Sequence, residues 1–349
     1  MITIRDVAKR AGVSTATVSN VLNGTRKASP STEMKVRRAI AELHYVPDYV
    51  SRSRKCGMLR SIGVVTEDIY YPDAQPAMLM QGVSRFCDQN AYQLQLMNLN
   101  LSHGTQLTLE AVSDESPIIG QLNHVTKTLE SSNIPGILYI GFHPRNITAI
   151  LKEISVPVTA LYAYSDSHHS VLADDHQGGK LATEYLISKG HTRIGLISGK
   201  TTSLTSYHRM AGYQQALMEH GIPFRPQYVT DSSYSFDEAY KCCEALMSLP
   251  EPPTAIFIMS DVMAYGAMKY AQHAGIRIPE DLSIIGFDNL EFSSFTAPPL
   301  TTVRLPFDDM AYRASEILSQ LIEGTLPEGT DLLEKIPCTI EERATVKAL

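Results

Sequence analysis

The sequence predicts a small all-α head over residues 1–46, then a larger α/β body made of two lobes that are each built on a parallel sheet. Three observations carry this expectation. Apolar residues recur at helical spacing in three short segments of the head. From residue 61 onward, aliphatic runs of strand length alternate with amphipathic stretches of helix length. The alternation comes as two successive series rather than one.

The first helix is marked by Ile4, Val7, Ala8 and Ala11, which stand at i, i+3, i+4 and i+7 and form one apolar stripe. Thr3 can cap it, Asp6 supports its first turn, and Gly12 ends it. A second helix starts at Ser14 or Thr15, carries Val18, Val21 and Leu22 on its apolar face, and stops at Asn23-Gly24, a pair suited to left-handed backbone. Ser29-Pro30, a cap followed by a proline at the first helical position, announces a third helix with Val36, Ala39, Ile40 and Leu43 at core spacing.

Two short helices across a glycine turn have the layout of a helix-turn-helix, whose second helix enters the DNA major groove. A helical hairpin of any α protein has the same spacing. What distinguishes this one is its exposed face, Ser14, Thr15, Ala16, Thr17, Ser19 and Asn20, where short side chains let a helix approach a duplex closely. Charge points the same way: residues 1–57 hold 11 Lys and Arg against 4 Asp and Glu, so they carry +7 in a chain of net −7 and the remainder carries −14.

The run from Ile4 to Asn23 together with Tyr45-Val-Pro47 resembles the N-terminal domain of the LacI/GalR family of bacterial transcription regulators. The stretch Val13-Ser-Thr-Ala-Thr-Val-Ser-Asn-Val-Leu-Asn23 matches the family signature almost position by position. The resemblance implies that Thr15, Ala16 and Asn20 read bases, within a DNA-contacting set of Ser14, Thr15, Ala16, Thr17, Ser19, Asn20, Asn23 and Arg54. Many members have arginine where Asn20 stands. It also implies that the basic segment 47–60 is a hinge that becomes a short helix on operator DNA and enters the minor groove. Here the sequence departs from the family, since Arg54 occupies the place of a leucine wedge. A charged head cannot fill an opened base step cheaply, but it can lie along a narrow groove or reach a phosphate; a solvent-facing linker residue is the other reading.

Length and apolar content, 349 residues and 44%, allow a sizeable core and two or three domains. No apolar run reaches the roughly 18 residues of a membrane span, and the N-terminus lacks the pattern of a secretory signal. A cytoplasmic protein with no membrane partner is expected. Cys56, Cys87, Cys242, Cys243 and Cys338 are odd in number and contain no C-x-x-C pair, against both a disulfide framework and a zinc site. Cys242-Cys243 reads as small buried hydrophobes, and His168-His169, beside Asp166 and Ser167, as a solvated turn rather than a metal site.

In the body (residues 61–349), strands are expected at 62–65, 93–97, 136–140 and 156–161, then at 193–197, 255–259 and 283–287. Helices are expected near 76–90, 121–132, 176–190, 207–221, 236–249 and 262–275. The stretch 99–120 reads as a longer loop than the fold needs. Parallel sheets bind ligands beyond the carboxyl ends of their strands, so two such lobes suggest a shared cleft. The family resemblance implies the lobe arrangement of periplasmic sugar-binding proteins.

Three strand-to-helix junctions carry polar groups suited to that cleft. Arg209, in Ser203-Leu-Thr-Ser-Tyr-His-Arg209, matches a family arginine that holds ligand hydroxyls with its guanidinium fork; a surface arginine of a helix first turn is the plainer reading. Asp261 begins a helix, where capping alone would explain it. Asp288 ends a strand and matches the family aspartate that accepts from a sugar diol, so that with Arg209 it would supply acceptor and donor. Tyr162 stands where several sugar-responsive relatives have aspartate, which puts direct transfer of their ligand in doubt, although a tyrosine can pack on the apolar face of a pyranose. Tyr70 and Tyr71 can add to the same surface, or either tyrosine set can be ordinary core packing.

Enzyme chemistry finds no support. Gly195-Leu-Ile-Ser-Gly199-Lys200-Thr201 is one residue short of the spacing that lets backbone N–H groups wrap a phosphate. No G-x-S-x-G elbow or H-E-x-x-H pair is present. A solute-binding protein would have no use for a basic helix-turn-helix. The expectation is therefore a repressor that binds double-stranded operator DNA as a homodimer, needs no cofactor, and is controlled by a small effector, a sugar, between the lobes. The C-terminus lacks leucine heptads, so a coiled-coil tetramer is not indicated.

Overall fold

A computed structural model describes residues 4–23, 29–43, 61–67, 75–99, 120, 124–125, 127–129, 131, 134–141, 143–152 and 154–349. The chain divides into two compact units, Met1–Leu59 and Arg60–Leu349. The expected hinge at 47–60 with Arg54, the residues Cys56, Tyr70 and Tyr71, and positions 100–119 of the expected loop lie outside the described residues.

In the first unit α1 (Ile4–Ala11), α2 (Thr15–Asn23) and α3 (Pro30–Leu43) follow the expected order. Val7, Ala8, Val18, Val36 and Ala39 form the buried centre, with Ile4, Ala11, Val13, Val21, Ile40 and Leu43 packed around it. Each buried valine contributes roughly 1.5 kcal/mol or more by leaving water. Gly12 turns the chain at φ 67°, a conformation that costs glycine nothing. The Ser14 hydroxyl accepts the Thr17 N–H at 3.1 Å and so caps α2; Ser29 accepts from Thr32 at 3.3 Å and caps α3.

The second unit begins with β1 (Ser61–Thr66), α4 (Gln75–Asn90), β2 (Gln93–Asn98), β3 (Ile137–Ile140), α5 (Thr148–Leu151), β4 (Val158–Leu161) and β5 (His169–Ala173). It continues through α6 (Asp175–Ser188), β6 (Ile194–Ser198), α7 (Leu204–Glu219), β7 (Val229–Asp231), α8 (Phe236–Met247), β8 (Ala255–Ile258), α9 (Asp261–Ala274) and β9 (Ser283–Asp288). It ends with β10 (Thr301–Arg304), α10 (Phe307–Glu323), β11 (Leu333–Ile336) and β12 (Thr339–Glu341). Two six-stranded sheets result, ordered β11-β5-β4-β3-β1-β2 in the first lobe and β12-β10-β9-β8-β6-β7 in the second.

Among the described residues all strand pairings are parallel except β10 with β12. The aliphatic runs of β1, β3, β4, β6, β8 and β9 are buried along their whole length, as strands covered on both faces must be. The chain passes between lobes three times: after β5, after β10, and between β11 and β12. Helix α10 therefore packs on the first lobe, against α4 and the strands β3, β4 and β5, although the strands before it belong to the second. One apolar cluster joins the lobes through Tyr162, Phe287, Phe307 and Cys338.

The expected strands and helices appear, with shifts of a few residues at their ends. The expected helix 121–132 is helical at 124–125, 127–129 and 131 among the described residues. One correction concerns His168-His169. His168 sits in a turn, its ring nitrogen within hydrogen-bond distance of the Ser165 and Ser167 hydroxyls, but His169 opens β5 and pairs with Thr159. Cys243 is buried and Cys242 half-buried on α8. Among the described residues no helix is long and apolar enough to cross a membrane, and no group of three His, Cys, Asp or Glu could hold a metal ion.

Candidate functional site

On the head, the N-terminal end of α2 presents Ser14, Thr15 and Ala16 exposed, with Thr17, Ser19 and Asn20 half-buried. Ser14 and Thr17 are tied to each other at 2.9 Å, so their hydroxyls fix the helix start as well as lying on its outer face. Asn23 is the last residue of α2. Part of the positive charge of the head is engaged: Arg10 and Arg38 both reach Glu42, at 2.5 and 2.8 Å, and Arg37 reaches Glu33 at 2.7 Å. The Arg38 hydrogen bond, opposed by partial desolvation, holds Glu42 below the usual carboxylate range. These pairs lie largely at the surface and add little to stability.

The second constellation forms where the lobes meet, and its centre is Arg209. Helix α7 starts at Leu204, so Arg209 lies in the second helical turn and is only 2% exposed; the surface-arginine reading does not apply. Its place follows from glycines. A methyl carbon on Gly179 of α6 would lie 2.3 Å from the Arg209 carbonyl oxygen, and one on Gly212 of α7 would lie 2.1 Å from the His176 carbonyl oxygen. The helices therefore touch backbone to backbone, and Asp175, one turn before Gly179 on the same face of α6, meets the arginine.

The Arg209 Nε–H donates to Asp175 Oδ1 at 2.8 Å and Nη1–H to the Met259 carbonyl at 2.5 Å. The guanidinium carbon lies 3.6 Å from the centroid of the Phe287 ring, which covers one face of the group. Burial alone would lower the Arg209 pKa, but Asp175 beside it raises it above its ordinary value. Burial pushes Asp175 upward in turn, against the pull of Arg209.

Asp288 is brought to the same place, with Oδ1 3.9 Å from Arg209 Nη1, an ion pair longer than a hydrogen bond. Its backbone has a positive φ of 111°, and Asn289 after it has one of 60°. Such conformations cost of order 1–3 kcal/mol and persist where the surroundings over-determine them. Tyr162 closes the site from the first lobe: it follows β4 at φ 55°, is 3% exposed, and lies edge-on to Phe307 with ring centroids 5.6 Å apart. Burial, and then the nearby Asp175 carboxylate, pushes its phenol well above the ordinary range. The cavity against its ring, lined also by Thr66, Gln75, Leu79 and Ile140, measures about 10 Å³, room for one water.

Asp261 does not join this group. Its Oδ1 accepts the Thr302 hydroxyl at 2.5 Å and its Oδ2 the Leu290 N–H at 2.8 Å, while Ser260 caps α9 by accepting from Val262. It anchors the segment that follows Asp288. Arg343, near the chain end, anchors the same segment through the Asn289 side chain at 2.6 Å and the Leu300 carbonyl at 2.7 Å. Tyr71 lies outside the described residues.

Two members of the site are absent from the sequence expectation. Asp175 follows β5, a strand the polar sequence around His168 concealed. Tyr234 follows the three-residue β7 at φ 61°; its hydroxyl meets Ser206 at 2.9 Å and its ring lies where any side chain on Gly199 would clash, 2.1 Å from the added carbon. The run Asp231-Ser-Ser-Tyr234-Ser between strand and helix was the available signal. The result is a buried guanidinium, two carboxylates and two phenols, with aromatic faces around them. Such a set suits a small polar ring that both donates and accepts. Away from it, a groove of about 780 Å³ runs between α9 and residues 292–298, lined by Tyr265, Met268, Phe292 and Phe295, the last 76% exposed.

Residues 3–48 match the family described as bacterial regulatory proteins, lacI family, and residues 183–346 match the periplasmic binding protein-like domain. The chain is 33% identical over 327 residues to the HTH-type transcriptional repressor PurR of Aliivibrio salmonicida, covering 93% of each chain. It is 35% identical over 326 residues to the repressor of the same name from Pasteurella multocida, covering 92% of each. Among solved structures it is similar to the Lac repressor dimer bound to operator and the anti-inducer ONPF, with a TM-score of 0.68, 26% identity and 99% of both chains covered. It is also similar to the regulator CelR in complex with cellobiose, with a TM-score of 0.66, 25% identity, and 99% of this chain and 100% of that one covered.

Proposed function

Because the chain belongs to the lacI family of bacterial regulatory proteins and is a DNA-binding transcriptional repressor, we propose that a small polar ring, in the first reading a sugar, controls its operator affinity from the site between the lobes. The single observation that carries this is the buried Arg209 with Asp288 held 3.9 Å from it. A diol bridging the two would accept from the guanidinium and donate to the carboxylate. The cellobiose bound to CelR supports the sugar class. A second reading, a purine-like ring, is favoured by the aromatic rings of Tyr162, Tyr234 and Phe287 and by the excess of acceptors. An N–H beside a carbonyl satisfies the same pair.

In this proposal residues 1–46 read the operator through Ser14, Thr15, Ala16, Thr17, Ser19, Asn20 and Asn23, and residues 47–60 form the hinge with Arg54 on the minor groove. Two heads are needed for tight specific binding, so the working form is a homodimer in the cytoplasm. The Lac repressor dimer supports this, and the apolar groove at Phe295 is the face we assign to the second copy. Ligand control requires different affinities for the two lobe arrangements, since equal affinity shifts nothing. Lobe closure that moves the hinges apart gives induction, and closure that brings them together gives corepression.

The test is a thermal-shift screen of the full chain with cellobiose, D-galactose and D-ribose against adenine, guanine and hypoxanthine. A compound that raises the Tm is then titrated against Arg209→Ala and Asp288→Ala. Each variant loses hydrogen bonds of a charged partner, roughly 1.5 to 3 kcal/mol, and should lose the ligand response while keeping operator binding. Normal binding by both variants would place the ligand elsewhere.

A further inference from the structure

We propose that Gln177 is a hinge clasp: its side-chain amide binds the backbone of Cys338 and so locks two of the three passages between lobes into one pivot for lobe closure. The inference rests on the cleft reading above, because only a body whose lobes move against each other needs a defined axis.

The sheet order brings the two passages together. β5 and β11 are parallel neighbours in the first sheet, paired up to Ala173 and Ile336, and both leave it towards the second lobe. The ladder runs on for one more bond, from the Asp174 N–H to the Ile336 carbonyl at 2.9 Å. In a continuing parallel ladder the Cys338 N–H would donate next, to the Asp174 carbonyl. That carbonyl is taken instead by the Gly178 N–H at 2.8 Å, the first bond of α6. Cys338 is only 3% exposed, and a buried N–H left without a partner is costly.

Gln177 supplies the missing partner. The Cys338 N–H donates to Gln177 Oε1 at 2.9 Å, and the Gln177 Nε2–H faces the Cys338 carbonyl at 3.5 Å. The glutamine is itself fixed, since its own N–H donates to Asp174 Oδ1 at 3.0 Å in the cap of α6. Cys338 is seated from another side too: its thiol donates to the Asp174 carbonyl at 3.7 Å, and a methyl carbon on Gly178 would lie 3.0 Å from the sulfur. The next residue, Thr339, begins β12 and pairs with Arg304, the last residue of β10, from which the remaining passage starts.

Two connections that run in the same direction and are bonded to each other cannot slide past one another without breaking that bond. Bending about the pair remains, which is hinge motion rather than shear. A single axis limits the body to few lobe arrangements, the condition under which an effector shifts populations between defined states. Without the clasp each connection adjusts alone, and the effector-free body samples a range of openings.

The test reads lobe opening in the full chain with neither effector nor operator, so a failed ligand screen leaves the clasp standing and a failed clasp leaves the cleft reading standing. Spin labels are carried on Ala149→p-acetylphenylalanine in the first lobe and Thr201→p-acetylphenylalanine in the second, both at exposed positions. Labelled chain is refolded with about a tenfold excess of unlabelled chain, so that distances within one chain dominate in a symmetric oligomer. Pulsed dipolar spectroscopy should give one narrow distance distribution with Gln177 present. It should give one about twice as wide for Gln177→Met, which keeps the side-chain length but loses both polar atoms. Gln177→Glu retains an oxygen for the Cys338 N–H and should restore the narrow width; Gln177→Asn, one carbon shorter, should not. Hydrogen exchange at the Cys338 amide should be about tenfold faster in the methionine and asparagine variants, the loss of roughly one hydrogen bond. Thr345→Val removes hydroxyl bonds to the Ile284 carbonyl and the Thr301 N–H within the second lobe, and should lose stability in urea yet keep the narrow width. Should Gln177→Met not fold, the contrast between Gln177→Glu and Gln177→Asn still decides. An unchanged width in Gln177→Asn or Gln177→Met, or broadening as large in Gln177→Glu or Thr345→Val, would overturn the clasp.

Discussion

Replacing Gly179 by alanine adds one carbon at the point where α6 and α7 touch. That carbon would lie 2.3 Å from the Arg209 carbonyl oxygen and 2.7 Å from its Cα. A carbon and a carbonyl oxygen rest at about 3.3 Å, so the helices must separate by roughly 1 Å. They cannot pivot about the neighbouring contact, because Gly212 makes the same kind of approach to the His176 carbonyl at 2.1 Å. Overpacking of this kind costs about 1 to 3 kcal/mol, and the clash is with backbone, which puts it at the upper end. Alanine returns up to about 1 kcal/mol through its helix propensity. The net loss is roughly 2 kcal/mol, a fall in Tm of about 4 °C or more for a domain of this size. The same separation stretches the 2.8 Å bond between Arg209 and Asp175 beyond hydrogen-bond range, so ligand affinity falls with stability. Circular dichroism during urea unfolding, followed by a repeat of the ligand titration, measures both. A Gly179→Ala protein as stable as wild type or more so would refute the argument, because it would mean that propensity outweighs the contact.

Three further outcomes are expected. Burial pushes Asp261 from 3.8 up to about 7, so the folded chain keeps a proton that the unfolded chain releases above about pH 4; this contribution is complete below the unfolded value and is lost as pH rises through about 7. Asp261→Asn, which can keep the Leu290 bond and donate to Thr302, should show a shallower fall in stability between pH 4 and 8, and parallel curves for the two proteins would sink the idea. Phe295→Glu places a charge on the exposed groove and should shift the full chain towards monomer in analytical ultracentrifugation, while an unchanged sedimentation coefficient would remove that face from the dimer. Asn20 suits adenine N6 and N7, so selection of operators from random DNA should show Asn20→Arg moving the preference at that position to guanine by roughly 1 to 3 kcal/mol. An unmoved preference takes Asn20 off the base-reading set.

The head was legible because its signals are local: the spacing Ile4, Val7, Ala8 and Ala11, the turn at Gly12 and the caps at Ser14 and Ser29 each act within one helical turn. The aliphatic strands were legible for the same reason. β10 was not, since Thr301 and Thr302 look like surface residues yet are fully buried, their hydroxyls satisfied by the Arg343 N–H and by Asp261. Strand β11 alternates half-buried and exposed residues at the sheet edge and carries little pattern. In the cleft, Arg209 and Asp288 could be placed at strand-to-helix junctions, but the partner of Arg209 could not. Asp175 lies 34 positions away, and only the crossing of two glycine-bearing helices brings it close. Asp261 showed the converse: its place at the start of a helix was readable, whereas the loop that fills both its oxygens was a tertiary matter.

The three passages between lobes also set an order of events at the ribosome. Synthesis at roughly 5–20 residues per second releases β1 to β5 well before α10, the helix that covers their sheet beside α4. The first lobe therefore waits, with one face of its sheet covered only in part, by α4, until residue 323 has emerged, by which time β6 to β10 of the second lobe have been made. The later lobe is the first able to bury its sheet, lacking only the edge strand β12. A chain stopped near residue 305 would release a nearly finished second lobe tethered to a half-covered first one, a species for chaperones and proteases rather than a shorter repressor.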